Sequence, residues 1–430
     1  MFCVYEYKEL GLTQEQTAKI IENINEFSFT KECVKSNSEL GLDNELIVYL
    51  ILSTGNKNYV IDCINKCKEL GLELVDQLEL LTNLDIEESI KDRFVYDHFK
   101  DLSSEDSKYT KWIDLPEDMT IGVEIESSGR AGNVLEAIID KINPGWIAES
   151  DASLTNGKEL VSPILTGNTK DSTKQIRKSC EILRMLNHEN KDECGGHIHI
   201  GEKYFTNLES WKNLLEIWGD TEKILYAISN EEGQKPREAI IQYAVPISKD
   251  FEKAIQNKGV ELKDEDDIKA FIKQIQKHRQ ASINFQNIGK EIKDTIEFRI
   301  PNGTINPDVW VDNINLFGGL IKACEDLAKI QLKEEELTEE EQDYLENLEI
   351  IKDEKSDEYE KMIALLNITI HDKEKQKTYI KRYEINNNLI TNDQNLSGVI
   401  KRNTAEHPFD IINKELYEKK LKKAKEGSER

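Results

Sequence analysis

The chain has 430 residues, and its 57 Lys and Arg stand against 83 Asp and Glu, for a formal net charge of −26. This acidic excess argues against general nucleic-acid binding, which needs a basic surface, and no apolar run approaches the roughly 20 residues of a membrane span. The first residues do not resemble a signal peptide, and seven cysteines without a CxxC pair favour a cytoplasmic protein over a disulfide framework.

Residues 1–100 carry an internal repeat. A Glu-Leu-Gly-Leu tetrapeptide and a cysteine recur every 30 residues, at 9–12, 39–42 and 69–72 and at Cys3, Cys33 and Cys63. Such self-similarity is typical of stacked helical repeats, in which glycine ends one helix and a second follows, for example over 13–25. We expect the cysteines to be packing residues. The repeats either offer a docking surface for a peptide or protein, or simply pack on the next domain.

A polar linker is predicted over 101–111, and short strands alternate with helices over 112–330. The pattern predicts strands around 119–127, 145–151, 158–163, 195–201, 280–287 and 294–300, and helices at about 132–142, 170–188, 207–230 and 307–331. This order is typical of an α+β domain with helices on one face of its sheet. The acidic segment 331–430 is predicted to form a mostly helical extension with a solvated face.

Three predicted strands carry polar pairs two residues apart within apolar sequence. They are Glu124 and Glu126, His197 and His199, and Glu297 and Arg299. Residues i and i+2 of a strand share a face, so each pair lies on one face and the apolar residues on the other. A half-exposed antiparallel sheet alternates in the same way. These residue types, however, are metal ligands and anion-binding groups, so together they predict a shared site for metal ions and an anionic substrate.

Further candidate residues lie between and beside these strands. A predicted hairpin over 151–159 would bring Asp151 and Glu159 together, so that Glu159 joins the carboxylates. Arg279 at the start of a strand and Arg237 after Lys-Pro add cations suited to phosphate or carboxylate oxygens. A carboxylate-rich donor set with few histidines favours Mg²⁺ or Mn²⁺ over Zn²⁺.

The order of these motifs resembles the amidoligase family, a branch of the glutamine synthetase-like carboxylate–amine ligases. Over about 119–330 the series is Gly-Val-Glu-Ile-Glu, Asp-x-Ser with Glu-Leu-Val-Ser-Pro, Cys-Gly-Gly-His-Ile-His-Ile, Arg-Gln-Ala-Ser-Ile-Asn and Thr-Ile-Glu-Phe-Arg. The resemblance implies a glutamine synthetase-like curved antiparallel sheet around two divalent metals, with helices on one face. It is flanked here by the all-α repeat region and the acidic helical tail.

The resemblance also implies residue roles. One metal, near the substrate carboxylate, would be held by Glu126 and Glu159, with Asp151 as a third candidate ligand. The metal that bridges the ATP phosphates would be held by Glu124, His197 and Glu297, and His199 would lie near those phosphates. Arg279 and Arg299 would hold the transferring phosphoryl group and the substrate carboxylate. Asp151 or Glu159 is the candidate base for the attacking amine, and the cation Arg237 is a further candidate for binding the nucleotide. The implied reaction is ATP-dependent amide or peptide bond formation, with Mg²⁺ or Mn²⁺ as cofactor.

The sequence departs from glutamine synthetase at three points. Asn284 stands where a second arginine is expected, and neither an ammonia-trapping flap nor the usual small N-terminal β-domain is evident. The missing flap and β-domain favour an amine larger than ammonia, such as an amino acid, a polyamine or a peptide. Two other functions stay open: a metal-dependent zinc hydrolase that uses the same Glu and His cluster, and a non-catalytic repeat protein that binds partners.

Overall fold

The computed structural model describes residues 10–23, 27–40, 110–129, 132–151, 157–247, 263–276 and 279–402, with isolated positions at 44–102 and 154. The helices are α1 (Gln14–Asn23), α2 (Phe27–Leu40), α3 (Gly132–Ile142), α4 (Lys170–Met185), α5 (Leu208–Ile228), α6 (Ile240–Tyr243), α7 (Glu265–Ile275), α8 (Pro307–Gln331), α9 (Glu339–Lys352), α10 (Glu358–Thr369), α11 (Lys373–Asn392) and α12 (Gln394–Arg402). The strands are β1 (Thr120–Ser128), β2 (Ile147–Glu149), β3 (Gly157–Val161), β4 (Leu165–Thr166), β5 (Gly196–Gly201), β6 (Ile283–Asn284) and β7 (Thr295–Phe298).

The chain divides into two compact units. The first comprises Met1–Ser104, Gly129–Glu149 and Glu181–His188, and the second Glu105–Ser128, Ser150–Cys180 and Glu189–Arg430. In the first unit, α1 lies within the helix predicted for the first repeat, and Gly11 before it has a φ of 73°, which glycine adopts readily. Cys33 is buried, and burial followed by the charge of Glu32 raises the pKa of its thiol to about 12. Most of the 30-residue repeat lies outside the described residues and stays a prediction.

The second unit is built on an antiparallel sheet. Within the part of the chain that the structure describes, its strands run in the order β3-β1-β5-β7-β6, and β4 pairs with the start of β1. Along β1 the β-branched residues Ile121, Val123 and Ile125 are buried, as expected for a strand with one face in the core. β1 and β5 are central, so both present their polar pairs in the middle of the sheet.

Helices α5 and α8 cover the apolar face of this sheet. Phe298 of β7 stacks on Phe317 of α8, with ring centroids 4.5 Å apart, and lies 5.6 Å from Trp218 of α5. All three side chains are buried, and burying each contributes roughly 1.5–3 kcal/mol to folding. The apolar face therefore supplies the core, which leaves the opposite face for the charged residues.

The helices after residue 331 pack on α5 and α8. Arg382 of α11 pairs with Asp312 of α8 at 2.6 Å, and Lys223 of α5 contacts Glu358 at the start of α10. Capping boxes at Thr338 and Asp357 begin α9 and α10. The predicted helical character of this acidic extension is thus present through Arg402, and its apolar residues add to the core of the second unit.

The predicted α+β class is confirmed, since helices combine with an antiparallel sheet. Three elements were not predicted: the short helix α6, helix α7 and the short strand β4. In α7 the N-cap Asp264 and the apolar pair Ile268 and Ile272, one turn apart, stabilise a helix inside a stretch that is mostly charged. Among the described residues, no helix has both the length and the apolar character needed to cross a membrane.

Candidate active site

The strand register places the polar pairs on one face. Glu124 lies opposite His197, Glu126 opposite Glu159, and His199 opposite Glu297. Directly opposed residues of an antiparallel pair point to the same side of the sheet. Four adjacent strands, β3, β1, β5 and β7, therefore contribute to one cluster, as the two-residue spacing predicted.

His197 is at the centre of this cluster. Its Nδ1 lies 2.8 Å from Glu124 Oε2, 3.6 Å from Glu159 Oε1 and 3.7 Å from Glu297 Oε1. Its Nε2 lies 3.5 Å from Glu126 Oε1. Four carboxylates thus surround one imidazole, which can offset at most one negative charge.

His199 extends the cluster along β5. Its Nδ1 lies 3.0 Å from the hydroxyl oxygen of Thr295, and its Nε2 lies 3.2 Å from Glu124 Oε1. The Nε2 atom of His197 is buried and has no hydrogen-bond partner among the described residues, whereas the Nε2 atom of His199 faces Glu124 Oε1. Buried polar atoms are nearly always hydrogen-bonded, so His197 Nε2 is poised for a partner from outside the chain.

Two overlapping groups of side chains have the geometry to hold a metal ion. In each group, one ligand atom per residue lies within 4.8 Å of the others: Glu124, His197 and Glu297 in the first, and Glu126, Glu159 and His197 in the second. These groups contain the residues that the resemblance divides between two metals, with His197 shared. Metal ligation by these residues stays a prediction.

The two groups differ in their electrostatics. Burial opposes ionisation of Glu124, but hydrogen bonds with His197 and His199 hold the pKa of its carboxyl far below the usual range. At Glu159, burial and then the charges of Glu124, Glu126 and Asp151 raise the pKa to about 9. Without an added cation, this raised pKa favours the protonated form of Glu159 at neutral pH, in contrast to the ionised Glu124.

Arg299 contacts the cluster through an ion pair with Glu297. Its Nη1 donates to Glu297 Oε1, and its Nε donates to the Tyr243 carbonyl oxygen at 3.1 Å. Burial opposes the charged forms of both residues, but the Arg299 charge lowers the pKa of Glu297, and the Glu297 charge raises the pKa of Arg299. Glu297 is thus an anion whose position is fixed by the guanidinium.

Arg237 is buried next to the Gly195-Gly196 turn. Its Nη1 donates to the Pro301 carbonyl oxygen at 2.5 Å, and its Nη2 donates to the Arg299 carbonyl oxygen at 3.3 Å. A Cβ at Gly195 would lie 2.5 Å from Arg237 Nη2, so a side chain there would displace the buried guanidinium. The Gly195 N–H donates to Glu126 Oε2. At Gly196, a Cβ would instead lie 2.6 Å from the Trp310 ring.

A cavity of about 240 Å³ opens beside the Glu126 end of the cluster. Its lining residues are Glu126, Asp151, Glu193, Arg237, Tyr243, Arg279 and Arg299. The predicted residues Asp151, Arg237, Arg279 and Arg299 therefore meet here, with acidic and basic groups around one small space. Arg279 is exposed, and no ion pair among the described residues involves it. His199 does not line this cavity and belongs to the Glu124 end.

Sequence reasoning missed three side chains at the site. Asn284, noted only as a departure from the expected arginine, donates to Glu297 Oε2 at 2.6 Å. Lys293, in the turn before β7, places its Nζ 3.5 Å from Glu124 Oε1, and Glu193 lines the cavity. Asn284 could have been found, because it follows Ser282 at the same two-residue spacing as the other pairs. Lys293 and Glu193 lie in charged loops where no pattern distinguishes them.

The comparisons with known proteins agree with the site. Residues 147–321 match a family model described as "Putative amidoligase enzyme". The match covers β5, β7 and the arginines, while Glu124 and Glu126 on β1 lie before it and reach the site through strand pairing. No curated protein matches the chain. The resemblance to the amidoligase family inferred from the motifs is thus confirmed over residues 147–321.

Proposed function

We propose that this chain is an ATP-dependent carboxylate–amine ligase that forms an amide or peptide bond through an acyl-phosphate intermediate. The observation that carries the proposal is the pair of overlapping carboxylate and histidine groups on one sheet face, inside and beside a segment of the amidoligase family. A glutamine synthetase-like curvature of the sheet and a docking role for the N-terminal repeats belong to the same proposal.

The residues present fit divalent cations. Four carboxylates surround His197, and its buried Nε2 atom has no hydrogen-bond partner among the described residues. Burial and then the neighbouring negative charges raise the pKa of the Glu159 carboxyl to about 9. Buried charge without compensation is very costly, so added cations would stabilise this arrangement. Carboxylate oxygens are the ligands that Mg²⁺ and Mn²⁺ prefer.

Each group would hold one cation. Glu124, His197 and Glu297 would hold one at the nucleotide end, and Glu126 and Glu159 would hold the other near the cavity. When bound, the cations neutralise charge on the β- and γ-phosphate oxygens and on the substrate carboxylate. Raised positive charge would also return Glu159 to its ionised form.

The chain's own cations act on the transferring group. A substrate carboxylate oxygen attacks the γ-phosphorus, the bond to the ADP oxygen breaks, and an acyl phosphate forms. Arg279 is exposed at the cavity and has room to follow the phosphoryl group, while Arg299, held by Glu297, presents a fixed charge. Such preorganised charge lowers the barrier by several kcal/mol in comparable sites, roughly 3–4 per donor. His199 would contact the phosphates from the Glu124 end.

The second step needs a base. The amine nitrogen attacks the acyl carbon, inorganic phosphate leaves with the carbon–oxygen electron pair, and the nitrogen gives up a proton. Asp151 lines the cavity and lies close enough to influence the pKa of Glu159, so it is placed to take that proton. The cavity is larger than ammonia needs, which supports an amine with a side chain or peptide bond.

The test is ADP formation from ATP and Mg²⁺ with pools of amino acids, polyamines and peptides. We expect ADP release only when a carboxylate and an amine are both present, and an amide product in equal amount. ATP hydrolysis indifferent to both substrates would contradict a ligase. Tight zinc binding with peptide or amide hydrolysis, and no nucleotide turnover, would instead favour the hydrolase. A Glu126→Ala variant is the control, since it removes one proposed ligand.

A further inference from the structure

Two buried side-chain amides, those of Gln276 and Asn284, form consecutive hydrogen bonds that end at Glu297. Gln276, the residue that ends α7, donates from Nε2 to Asn284 Oδ1 at 3.0 Å. Asn284 donates from Nδ2 to Glu297 Oε2 at 2.6 Å. All three side chains are buried, with exposures of 1% for Gln276, 2% for Asn284 and 4% for Glu297. These hydrogen bonds therefore link the end of α7 to Glu297, a proposed cation ligand, through groups shielded from water.

Backbone N–H groups fix the direction in which these two amides donate. The Phe285 N–H donates to Gln276 Oε1 at 2.7 Å, and the Gln286 N–H donates to Asn284 Oδ1 at 3.0 Å. A backbone N–H can only donate, so each amide oxygen must face it, and each amide NH₂ must point the other way. Flipping either amide would set a donor against a donor. Both amides consequently donate towards Glu297.

Both carboxylate oxygens of Glu297 act as hydrogen-bond acceptors. Oε2 accepts from the Asn284 amide, and Oε1 accepts from the Arg299 guanidinium. Each carboxylate oxygen has two lone-pair directions, so one direction on each remains for another partner. The two donors thereby fix the plane of the carboxylate within the group that contains Glu124 and His197.

We propose that Asn284 is a positioning residue that holds the Glu297 carboxylate in one orientation for a divalent cation, and that Gln276 sets the direction of the Asn284 amide. This inference rests on the cation site of the proposed function. Groups that orient a metal ligand in this way typically affect metal affinity 10- to 100-fold. The arginine expected at position 284 would instead bring a second positive charge to Glu297.

The experiment is a manganese titration of the full chain without nucleotide or substrates, with free Mn²⁺ followed by electron paramagnetic resonance. We expect Asn284→Ala to raise the dissociation constant about 10- to 100-fold. Asn284→Leu, which fills the same volume without a donor, should give the same change and serves if the alanine variant is unstable. Asn213→Ala is the matched control, because Asn213 is another buried amide that donates to the Cys324 carbonyl oxygen and to Gln331, away from the cluster.

The control separates positioning from general packing. Thermal unfolding should show similar losses of stability in the Asn213 and Asn284 variants, while only the Asn284 variants lose manganese affinity. Unchanged affinity in folded Asn284→Ala or Asn284→Leu overturns the positioning role and leaves the ligase proposal intact. Equal weakening in Asn213→Ala also overturns it. No manganese binding by the unsubstituted chain overturns this role and the proposed cation site together.

Discussion

Two regions of the second unit bury acidic side chains in opposite ways. Glu325 of α8 accepts hydrogen bonds from the Thr206 N–H, the Thr206 hydroxyl and the Ser210 hydroxyl, and these bonds hold its pKa below the usual range although burial opposes ionisation. At Glu159 in the cluster, burial and then the charges of neighbouring carboxylates raise the pKa to about 9. A carboxylate that serves the fold is supplied with donors by the chain. The carboxyl of Glu159 instead has like charges around it, which is the condition expected where cations come from solution.

The largest expected effect is on the cluster side of this comparison. Glu159→Gln keeps nearly the same side-chain shape but removes the carboxyl that is the proposed metal ligand. We therefore expect turnover to fall by about 10³-fold or more, equivalent to about 4 kcal/mol. The free energy of unfolding without metal should stay equal or rise, because a carboxyl with a raised pKa must take up a proton on folding at neutral pH and a glutamine amide need not. ADP-release rates and urea unfolding measure the two quantities.

The exposed residue Glu335 provides the control for this change. Glu335→Gln alters charge equally but far from the sheet, and it should change neither turnover nor stability by more than about 0.5 kcal/mol. If Glu159→Gln keeps full activity, or if it unfolds the protein, Glu159 is a structural residue and the contrast with Glu325 disappears.

The second effect is on the fold side. Glu325→Ala leaves the buried Ser210 hydroxyl and two Thr206 donors without their acceptor, which should cost about 2–3 kcal/mol of unfolding free energy. The folded fraction should keep its affinity for Mn²⁺ and its turnover. Chemical unfolding measures the loss of stability. Mn²⁺ binding and turnover are then measured without denaturant, at a temperature at which the variant is folded. A loss of activity without a loss of stability would show that the two regions are not separable.

Sequence reasoning reached the cluster because its signal is local. The two-residue spacing of Glu124 and Glu126, or of His197 and His199, determines a shared face once a strand forms, and the hairpin spacing brought in Glu159. The same logic gave the α+β class and most helix positions. It also gave the amidoligase resemblance, which the family match confirms.

Long-range partners could not be predicted in this way. Arg237 binds carbonyl oxygens some sixty residues along the chain, and the donor to Glu297 comes from Asn284 on another strand. The Arg237 contacts depend on how loops pack, and nothing local distinguishes this residue from a surface arginine. The spacing of Asn284 from Ser282 indicates which face of the strand it lies on, but it does not indicate that Glu297 is its partner. Helix α7 was missed for a related reason, since its buried residues Ile268 and Ile272 lie in a mostly charged stretch.

The smallest expected effect tests whether cations supply what the cluster lacks. At ten times the dissociation constant, Mn²⁺ bound only by the folded state should add about 1.4 kcal/mol per site to the unfolding free energy. This gain should be lost or reduced in Glu159→Gln and retained in Glu325→Ala, despite the lower starting stability of the latter. Unfolding in matched buffers with Mn²⁺ or with a chelator measures the gain. An equal gain in unfolding free energy in Glu159→Gln would mean that Mn²⁺ binds elsewhere, because removing the Glu159 carboxyl from the cluster would not have weakened Mn²⁺ binding.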